Sequence, residues 1–265
     1  MKVFILSGYG FNCEEETKFA FEVAGATCDI VHINDWIKNK KRIFDYQMLA
    51  IPGGFSYGDD TGSGNAMANK IRNHLWEEIL EFVNQDKLVI GICNGFQVLV
   101  NLGLLPSIEN NYGKRTVALL HNNKGRYLNT WINIKIENDK CVFTKNISQM
   151  FLPIAHGEGN FFAEENILQQ LNSNEQIVLR YCLENGFLAN QIFPFNPNGA
   201  IEDVAGICSP NGKIFGLMPH PERAIFFTQR PDWNFLKEKF KREKKEIPKL
   251  NDGIEIFRNA VNYFK

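Results

Sequence analysis

The sequence predicts an α/β protein with an open, mostly parallel sheet, helices on both faces and an added antiparallel ribbon. Two patterns lead to this prediction. In the first hundred residues, strand-like runs that are apolar on both faces alternate with helical patterns, which is typical of a parallel sheet covered on both sides. After Leu105, strand-like runs follow one another with no helix between them, which indicates antiparallel pairing.

The elements are predicted in the following order. The runs KVFILS, CDIVHI, YQMLAIPGG and KLVIGI predict strands, and they alternate with helices over CEEETKFAFEVAGA and from about Ala66 to Val83. The runs RTVALLHNN, RYLNTWINIKI and CVFTKN predict antiparallel ribbons. LPIAHGEGNFF, QIVLRYC and AGICSPNGKIFGLMPHPERA then continue the core to a closing helix, DGIEIFRNAVNYF. Since no linker, repeat or low-complexity tract interrupts this order, we expect a single domain over residues 1–265.

Composition and charge narrow the class of protein. The chain has 265 residues, 44% of them hydrophobic, and a net charge of −1, so it can bury a substantial core. Acids and bases nearly cancel, which removes the electrostatic argument for nucleic acid or an anionic membrane as a partner. The opening MKVFILSGYG resembles a buried strand more than a signal peptide, and no apolar run is long enough to span a bilayer. We therefore expect a cytoplasmic protein.

The six cysteines, at 13, 28, 93, 141, 182 and 208, are scattered and include no CxxC pair. This spacing predicts no metal site and no structural disulfides in a reducing compartment. Five of the six are expected to be ordinary buried thiols. The exception is Cys93.

Cys93 stands in VIGICNGFQVL, between an apolar strand and the start of a helix. A tight strand-to-helix turn exposes its central side chain at the carboxyl edge of the sheet, and the flanking Gly91 and Gly95 relieve the clashes such a turn creates. The helix N-terminus also favours thiolate over thiol. The segment predicts a nucleophile elbow, although a small buried cysteine at a strand end is the usual alternative.

A nucleophile of this kind needs a base and a group that orients the base. His32 ends a predicted strand, and His74 and His121 lie in a predicted helix and a predicted ribbon without suitable neighbours, so all three are interpreted as structural. Two His-x-Glu segments remain, His156-Gly157-Glu158 and His220-Pro221-Glu222. In extended backbone either Glu points to the same side as its His. We favour His220 with Glu222, because Pro221 makes that segment rigid and GKIFGLMP should end beside Cys93.

Gly53 and Gly54 in IPGGFSYGDD follow the strand before the elbow strand. A glycine pair can turn its backbone N–H groups towards a ligand, so one of them and the N–H of Asn94 are candidates for an oxyanion hole. A simple Gly-Gly turn is the alternative.

The segments PGGFSYGD, GICNGFQVL and GLMPHPER, in this order, resemble the class I (triad) glutamine amidotransferases, which have a flavodoxin-like three-layer fold. Within that class they are most similar to the glutaminase subunits of phosphoribosylformylglycinamidine synthase, which act in purine biosynthesis. FNCEEETKFAFEVAGA, NLGLLP and PIAHGEG extend the resemblance over most of the chain. PGGFSYGD and GLMPHPER are specific to this subfamily, whereas G-x-C-x-G is more widespread.

The resemblance implies roles for individual residues. Cys93 would attack the side-chain amide of L-glutamine, His220 would move the protons and Glu222 would orient His220. The oxyanion donors would be the N–H groups of Gly54 and Asn94. The expected glutamine contacts are Gln97, Gly53, His156 and Gly157.

The resemblance also implies partners. The second half-reaction needs ATP, and the chain has no G-x-x-x-x-G-K-[ST] loop, so ATP and magnesium are expected on a larger synthetase subunit. A small third subunit would bridge the two. No cofactor or metal is expected in this chain.

Two segments depart from the usual short form of this subfamily. GDD continues into TGSGNAMANK, and the basic stretch RPDWNFLKEKFKREKKEIPKL, near residues 230–250, looks like an insertion before the last helix. A solvated helix is the expected form of this stretch, with docking onto a partner as the alternative.

Three other functions stay open at this point. A hydrolase or peptidase with a cysteine elbow would usually place its His soon after the Cys, whereas His220 follows more than a hundred residues later. A non-catalytic subunit would be expected to lack Cys93, His220 or Glu222. A glutaminase serving another acceptor is disfavoured by the subfamily segments.

Overall fold

The computed structural model describes all residues from Met1 to Lys265. It contains eleven strands: β1 Lys2–Ser7, β2 Thr27–His32, β3 Met48–Ile51, β4 Leu88–Ile92, β5 Val117–His121, β6 Leu128–Ile136, β7 Gln149–His156, β8 Glu158–Ala163, β9 Ile177–Cys182, β10 Val204–Cys208 and β11 Ile214–Leu217. The seven α-helices are α1 Glu14–Val23, α2 Ile33–Lys38, α3 Asn65–Val83, α4 Asn94–Leu102, α5 Glu165–Ser173, α6 Trp233–Arg242 and α7 Ile254–Asn262.

Nine strands form one sheet in the order β2-β1-β3-β4-β11-β10-β9-β6-β7. The first five strands of this order are mutually parallel. Four of them, β1 to β4, were predicted as parallel strands from their continuous apolar runs. β3, β4 and β11 are buried at every position. Parallel strands are covered on both faces in this way, so the predicted fold class is confirmed.

The helices fall into two groups. α1 contacts β1, β2 and α7, whereas α3 and α4 contact each other and α4 contacts β3, β4 and β11. The connection from β1 to β2 runs towards one edge of the sheet, and the connection from β3 to β4 runs towards the other edge. Because both crossovers are right-handed, their helices lie on opposite faces of the sheet. Chain order therefore reverses between β1 and β3, which is where open α/β sheets hold their ligands.

The antiparallel part is larger than a ribbon. β10, β9, β6 and β7 extend the main sheet by antiparallel pairing, and only β5 and β8 form a separate two-stranded sheet. The strand predicted over CVFTKN is wrong, because residues Val142–Thr144 form a 3₁₀ turn whose three side chains are buried. Its apolar residues cover the end of the core against α7 rather than pairing with a strand.

The basic stretch near residues 230–250 lies outside the sheet. Its helix α6 has no buried residue, and Phe235 is 72% exposed. The prediction of an exposed helix is confirmed, and docking of this stretch onto a partner stays a prediction.

None of the helices combines the length and the apolarity that a bilayer crossing requires.

Candidate active site

Cys93 occupies the sharp turn between β4 and α4. Its backbone lies at φ 51° and ψ −105°, a conformation that side-chain-bearing residues rarely adopt. A Cβ at Gly91 would lie 2.6 Å from the carbonyl oxygen of Gly95, and one at Gly95 would collide with the carbonyl oxygen of Ile51. The two glycines therefore allow helix α4 to start directly against the sheet, as the predicted elbow requires.

Cys93 is almost completely buried, with 5% of the residue exposed. Its sulfur lies 3.7 Å from the carbonyl oxygen of Ala155, at the end of β7. As the N-cap of α4, Cys93 also lies at the positive end of the helix dipole.

His220 and Glu222 reach the same sheet edge. β11 pairs in parallel with β4, and the N–H of Cys93 donates to the carbonyl of Leu217 over 2.8 Å. Three residues later, the Nδ1 of His220 lies 2.5 Å from Oε1 of Glu222, with both side chains buried. The expected pairing is present, but its cause differs from the extended backbone of the prediction: Pro221–Arg223 form a 3₁₀ turn that folds Glu222 back onto His220.

These neighbours set the charge of His220. Burial lowers the pKa of His220, but the carboxylate of Glu222 and the sulfur of Cys93 outweigh this effect, and its pKa lies well above the usual range. Its Nε2 is buried and has no hydrogen-bond partner within the chain. The ring is thus held at Nδ1 and free at Nε2, the arrangement needed to pass a proton to a reacting group.

The Gly53–Gly54 turn forms the wall beside His220. A Cβ at Gly53 would lie 2.7 Å from Cε1 of His220, and Gly54 adopts φ 148°, in the region that favours glycine. Neither the N–H of Gly54 nor that of Asn94 donates to another group of the protein. Both predicted oxyanion donors are therefore available for hydrogen bonding.

Cys13 was not expected at this site. Its sulfur, a ring nitrogen of His220 and a carboxylate oxygen of Glu222 lie within 4.8 Å of one another, and Nη2 of Arg223 donates to the Cys13 sulfur over 2.8 Å. Burial raises the pKa of the Cys13 thiol, while contact with His220 opposes that rise. The prediction that Cys13 is a buried, unpaired thiol is confirmed. The sequence did not indicate that it packs against the candidate base.

The position of Cys13 follows from the order of the strands in the sheet. It follows the carboxyl end of β1, and its N–H donates to the carbonyl of Gly53, so the turns after β1 and β3 are joined at the point where chain order reverses. Arg223 likewise ends the segment GLMPHPER, which was singled out only for its His and Glu.

The second His-x-Glu segment has a different structure. Nδ1 of His156 lies 3.1 Å from Oδ1 of Asn122, while Glu158 accepts from the N–H of Ser63 and lies 3.4 Å from His121. The hypothesis that Glu158 orients His156 is therefore wrong, as is the expectation that His121 has no suitable neighbour. His156 is 2% exposed, and its ring packs against Gly159. Direct contact of His156 with glutamine stays a prediction.

Gln97 connects the elbow helix to this segment. Its Nε2 donates to the carbonyl of Glu158 and its Oε1 accepts from Nδ2 of Asn94. Oδ1 of Asn94 accepts in turn from the N–H of Ser56. Both ends of the Gln97 amide are therefore occupied within the chain, and a role for it in glutamine binding stays a prediction.

A cavity of about 420 Å³ opens at the segment that follows Ala155. It lies between Phe55, which follows the Gly54 turn, the segment at Gly157 and Glu158, and the loop that carries Arg126 and Tyr127. Gly157 is two residues from Ala155, whose carbonyl contacts the Cys93 sulfur, and nothing lies within 4 Å of the position a Cβ would take at Gly157. The cavity can admit a small polar molecule, and one of its walls is two residues from the carbonyl that contacts the thiol.

A thiol, a buried His–carboxylate pair and two unused N–H groups are the groups needed for acyl transfer through a thioester. A match to a family model supports this chemistry. The model of the CobB/CobQ-like glutamine amidotransferase domain matches residues 1–264. The chain belongs to this glutamine amidotransferase family.

Curated relatives place the chain within a branch of the amidotransferase family. It is 52% identical over 264 residues to phosphoribosylformylglycinamidine synthase subunit PurQ of Methanococcus maripaludis, covering 99% of this chain and 97% of that protein. A subunit of the same name from Dehalococcoides mccartyi is 41% identical over 264 residues, with 99% and 97% covered. This amidotransferase is therefore a member of the PurQ family.

Solved structures agree with the fold. The structure of PurLQS from Thermotoga maritima includes a chain that matches with a TM-score of 0.72 and 28% identity, covering 100% of this chain and 99% of that one. Another T. maritima protein, described as a glutamine amidotransferase, matches with a TM-score of 0.53 and 14% identity over 99% of this chain and 97% of its own. The second likeness bears on the fold alone.

Proposed function

We propose that this chain is the glutaminase subunit of a phosphoribosylformylglycinamidine synthase. It hydrolyses L-glutamine to glutamate and ammonia and delivers the ammonia to a synthetase subunit for purine biosynthesis. The observation that carries this proposal is the buried 2.5 Å pair of His220 and Glu222. The pair follows β11, the strand next to β4 and Cys93, in a chain 52% identical to a PurQ subunit.

The reaction begins at the sulfur of Cys93. The thiolate attacks the side-chain amide carbon of glutamine, a C–S bond forms, and the carbonyl electron pair moves onto oxygen. The N–H groups of Gly54 and Asn94 face this oxyanion, and one such donor typically contributes roughly 3 kcal/mol to lowering the barrier.

His220 handles the protons of both half-reactions. Because the pKa of His220 is raised, its imidazolium donates from Nε2 to the leaving nitrogen as the C–N bond breaks, and ammonia departs. The neutral ring then takes a proton from the water that attacks the thioester. The C–S bond breaks, glutamate leaves, and Glu222 holds the ring in one orientation throughout.

The ATP-dependent half-reaction belongs to partner subunits in this proposal. The PurQ-like chain of the T. maritima structure occurs in an assembly named PurLQS, which supports a large synthetase subunit and a small bridging subunit as partners here. ATP and magnesium would bind the synthetase, which converts formylglycinamide ribonucleotide to formylglycinamidine ribonucleotide. Within this chain, the guanidinium of Arg223 contacts both the Cys13 sulfur and the Glu222 carboxylate and supplies positive charge beside His220.

We also propose a cytoplasmic location and one domain over residues 1–265, with residues near 230–250 as an insertion. The single domain is supported by a sheet that draws strands from Lys2 to Leu217 and by the packing of α7 against α1.

The test is the mass of the intact protein after incubation with 6-diazo-5-oxo-norleucine, a glutamine mimic that alkylates amidotransferase nucleophiles. We expect one adduct on the native protein and none on Cys93→Ala. Cys28→Ala is the matched control, since Cys28 is a buried cysteine on β2, and it should be labelled like the native protein. No adduct in the presence of the synthetase subunits, ATP and the ribonucleotide would contradict the proposal.

A further inference from the structure

The loop that follows β1, residues 8–13, lies against the turn that holds the proposed oxyanion donor Gly54. We call it the β1 loop. A Cβ at Gly10 would collide with the carbonyl oxygen of Phe55, and a Cβ at Gly54 would lie 2.6 Å from the carbonyl oxygen of Gly10. Both glycines also have positive φ, 105° and 148°. One glycine on each side therefore allows the two backbones to touch.

Two hydrogen bonds from the β1 loop hold the peptide that joins Gly53 to Gly54. The carbonyl oxygen of Gly53 accepts from the N–H of Asn12 over 3.2 Å and from the N–H of Cys13 over 3.3 Å. This peptide is trans and planar, so its carbonyl and its N–H point to opposite sides. By fixing the carbonyl, the β1 loop also fixes the direction of the Gly54 N–H.

The pairing of the two backbones gives this direction. Gly54 faces Phe11 in an isolated antiparallel bridge whose hydrogen bonds are made by the flanking residues. In such a pair the N–H groups of the two facing residues point away from each other. Because β1 and β4 flank β3 on opposite sides, the N–H of Gly54 points away from the β1 loop to the side of β4 and Cys93.

The base of the β1 loop is fixed to the rest of the protein. Phe11 and Cys13 are both buried, with 7% and 0% of each residue exposed. The carbonyl of Cys13 accepts from the N–H of Thr17 over 3.0 Å, so the loop leads directly into α1. The loop can therefore hold the neighbouring turn in place.

From this arrangement we propose that the β1 loop is a positioning element for the reaction, in which the N–H groups of Asn12 and Cys13 keep the Gly54 N–H directed at the oxyanion. This inference rests on the proposed glutaminase function and adds to it residues that act through the turn. A rotated peptide would turn its carbonyl oxygen towards the developing negative charge, whereas a fixed donor needs no reorganisation as that charge forms. Because the oxyanion is absent from bound glutamine, the effect falls on kcat rather than on KM.

The experiment measures kcat and KM for glutamine hydrolysis in the complex with the synthetase subunits, together with inhibition by L-glutamate γ-semialdehyde. The sulfur of Cys93 adds to the aldehyde carbon and the carbonyl electron pair moves onto oxygen, so the adduct presents the oxyanion without a leaving group. In Gly10→Ala the new methyl group displaces the turn at Phe55. We expect kcat to fall roughly 10²-fold, as for loss of one oxyanion donor, with KM within about 3-fold of native. The inhibition constant of the aldehyde should rise by a similar factor.

Gly25→Ala is the matched control. Gly25 has a similar φ of 96°, but nothing lies within 4 Å of the position of its Cβ, so this variant carries the backbone strain without the collision. It should keep the native kcat, KM and inhibition constant. A second variant decides the question if Gly10→Ala does not fold. A synthetic peptide of residues 1–12 is ligated to a chain that begins at Cys13, with an ester in place of the Phe11–Asn12 amide. Loss of this one N–H should lower kcat about 2- to 10-fold with KM unchanged.

The outcomes separate this inference from the function on which it rests. If Gly10→Ala and the ester variant keep the native kcat and inhibition constant while Cys93 is still labelled by 6-diazo-5-oxo-norleucine, the positioning role is wrong and the glutaminase function stands. A rise in KM as large as the fall in kcat would also overturn it, because the loop would then support the whole site rather than one donor. If Cys93 is not labelled in the native complex, both fall together.

Discussion

The two His-x-Glu segments of this chain share their spacing but differ in structure. In His220-Pro221-Glu222, the proline begins a 3₁₀ turn that brings the carboxylate to 2.5 Å from the imidazole. In His156-Gly157-Glu158, β7 ends at the His and β8 begins at the Glu. Glu158 then binds the loop at Ser63, and His156 turns to Asn122. The same spacing thus gives a paired His and Glu in one segment and a His and Glu with separate partners in the other.

The electrostatic consequences are opposite. Burial and the positive charge of His220 lower the pKa of His156 to about 3, whereas Glu222 and Cys93 outweigh the effect of burial at His220 and raise its pKa. His156 is therefore neutral at neutral pH, while His220 carries a proton. A buried histidine with a carboxylate partner is suited to proton transfer, and one with an amide partner is suited to holding a loop.

The largest difference in kcat between the two segments should appear when the carboxylate of each is removed in turn. We expect Glu222→Gln to lower kcat for glutamine hydrolysis roughly 10²- to 10³-fold, because His220 loses both its orientation and the charge that stabilises its protonated form. Glu158→Gln should change kcat less than about 3-fold, with its effect confined to KM. Steady-state kinetics on both variants in the complex would measure this contrast, and equal losses of kcat would contradict it.

The second prediction concerns acid stability. The pKa of His156 is depressed from about 6.5 to about 3, so the unfolded chain binds its proton more readily than the folded one. This stabilising contribution is present above pH 6.5 and is lost as the pH falls towards 3. Between pH 7 and pH 5 the loss is about 2 kcal/mol, since each pKa unit corresponds to about 1.4 kcal/mol.

Guanidinium chloride unfolding at pH 7 and pH 5 measures this loss. His156→Asn, although less stable at pH 7, should lack that part of the pH dependence. His74→Asn serves as the control, because His74 is exposed on α3, and it should keep the native dependence. An unchanged pH dependence in His156→Asn would show that His156 does not carry it.

The smallest effect is expected at Cys13, which acts through His220. Cys13→Ala removes the sulfur that contacts Arg223 and His220. We expect kcat to fall about 3- to 10-fold, the KM for glutamine to stay unchanged, and the pH profile of kcat to shift, since His220 loses a neighbour that affects its pKa. Cys13→Ser should recover part of the activity. A fall in kcat with an unaltered pH profile would mean that Cys13 has only a packing role.

Much of the fold and part of the site could be predicted from the sequence. Continuous apolar runs identified β1 to β4, and the glycines around Cys93 predicted the elbow, because both signals depend on neighbouring residues. The pairing of His220 with Glu222 was also predicted, although through the wrong local geometry. Local sequence does not say whether three residues form an extended segment or a 3₁₀ turn when packing decides between them.

The parts that were missed depend on contacts far apart in the chain. Cys13 meets Arg223 across 210 positions, and Ser63 meets Glu158 across 95. The CVFTKN segment has the apolar pattern of a strand but no strand beside it, so it caps the core instead. Such contacts depend on strand order, which periodicity alone does not define.

The most direct test of the account is trapping of the γ-glutamyl thioester by acid quench, using radiolabelled glutamine and the complex with the synthetase subunits. The account predicts that His156→Asn accumulates thioester on Cys93 at a rate close to that of the native protein, whereas His220→Asn forms it at least about 100-fold more slowly. Near-native thioester formation by His220→Asn, with loss in His156→Asn, would contradict the assignment of the base.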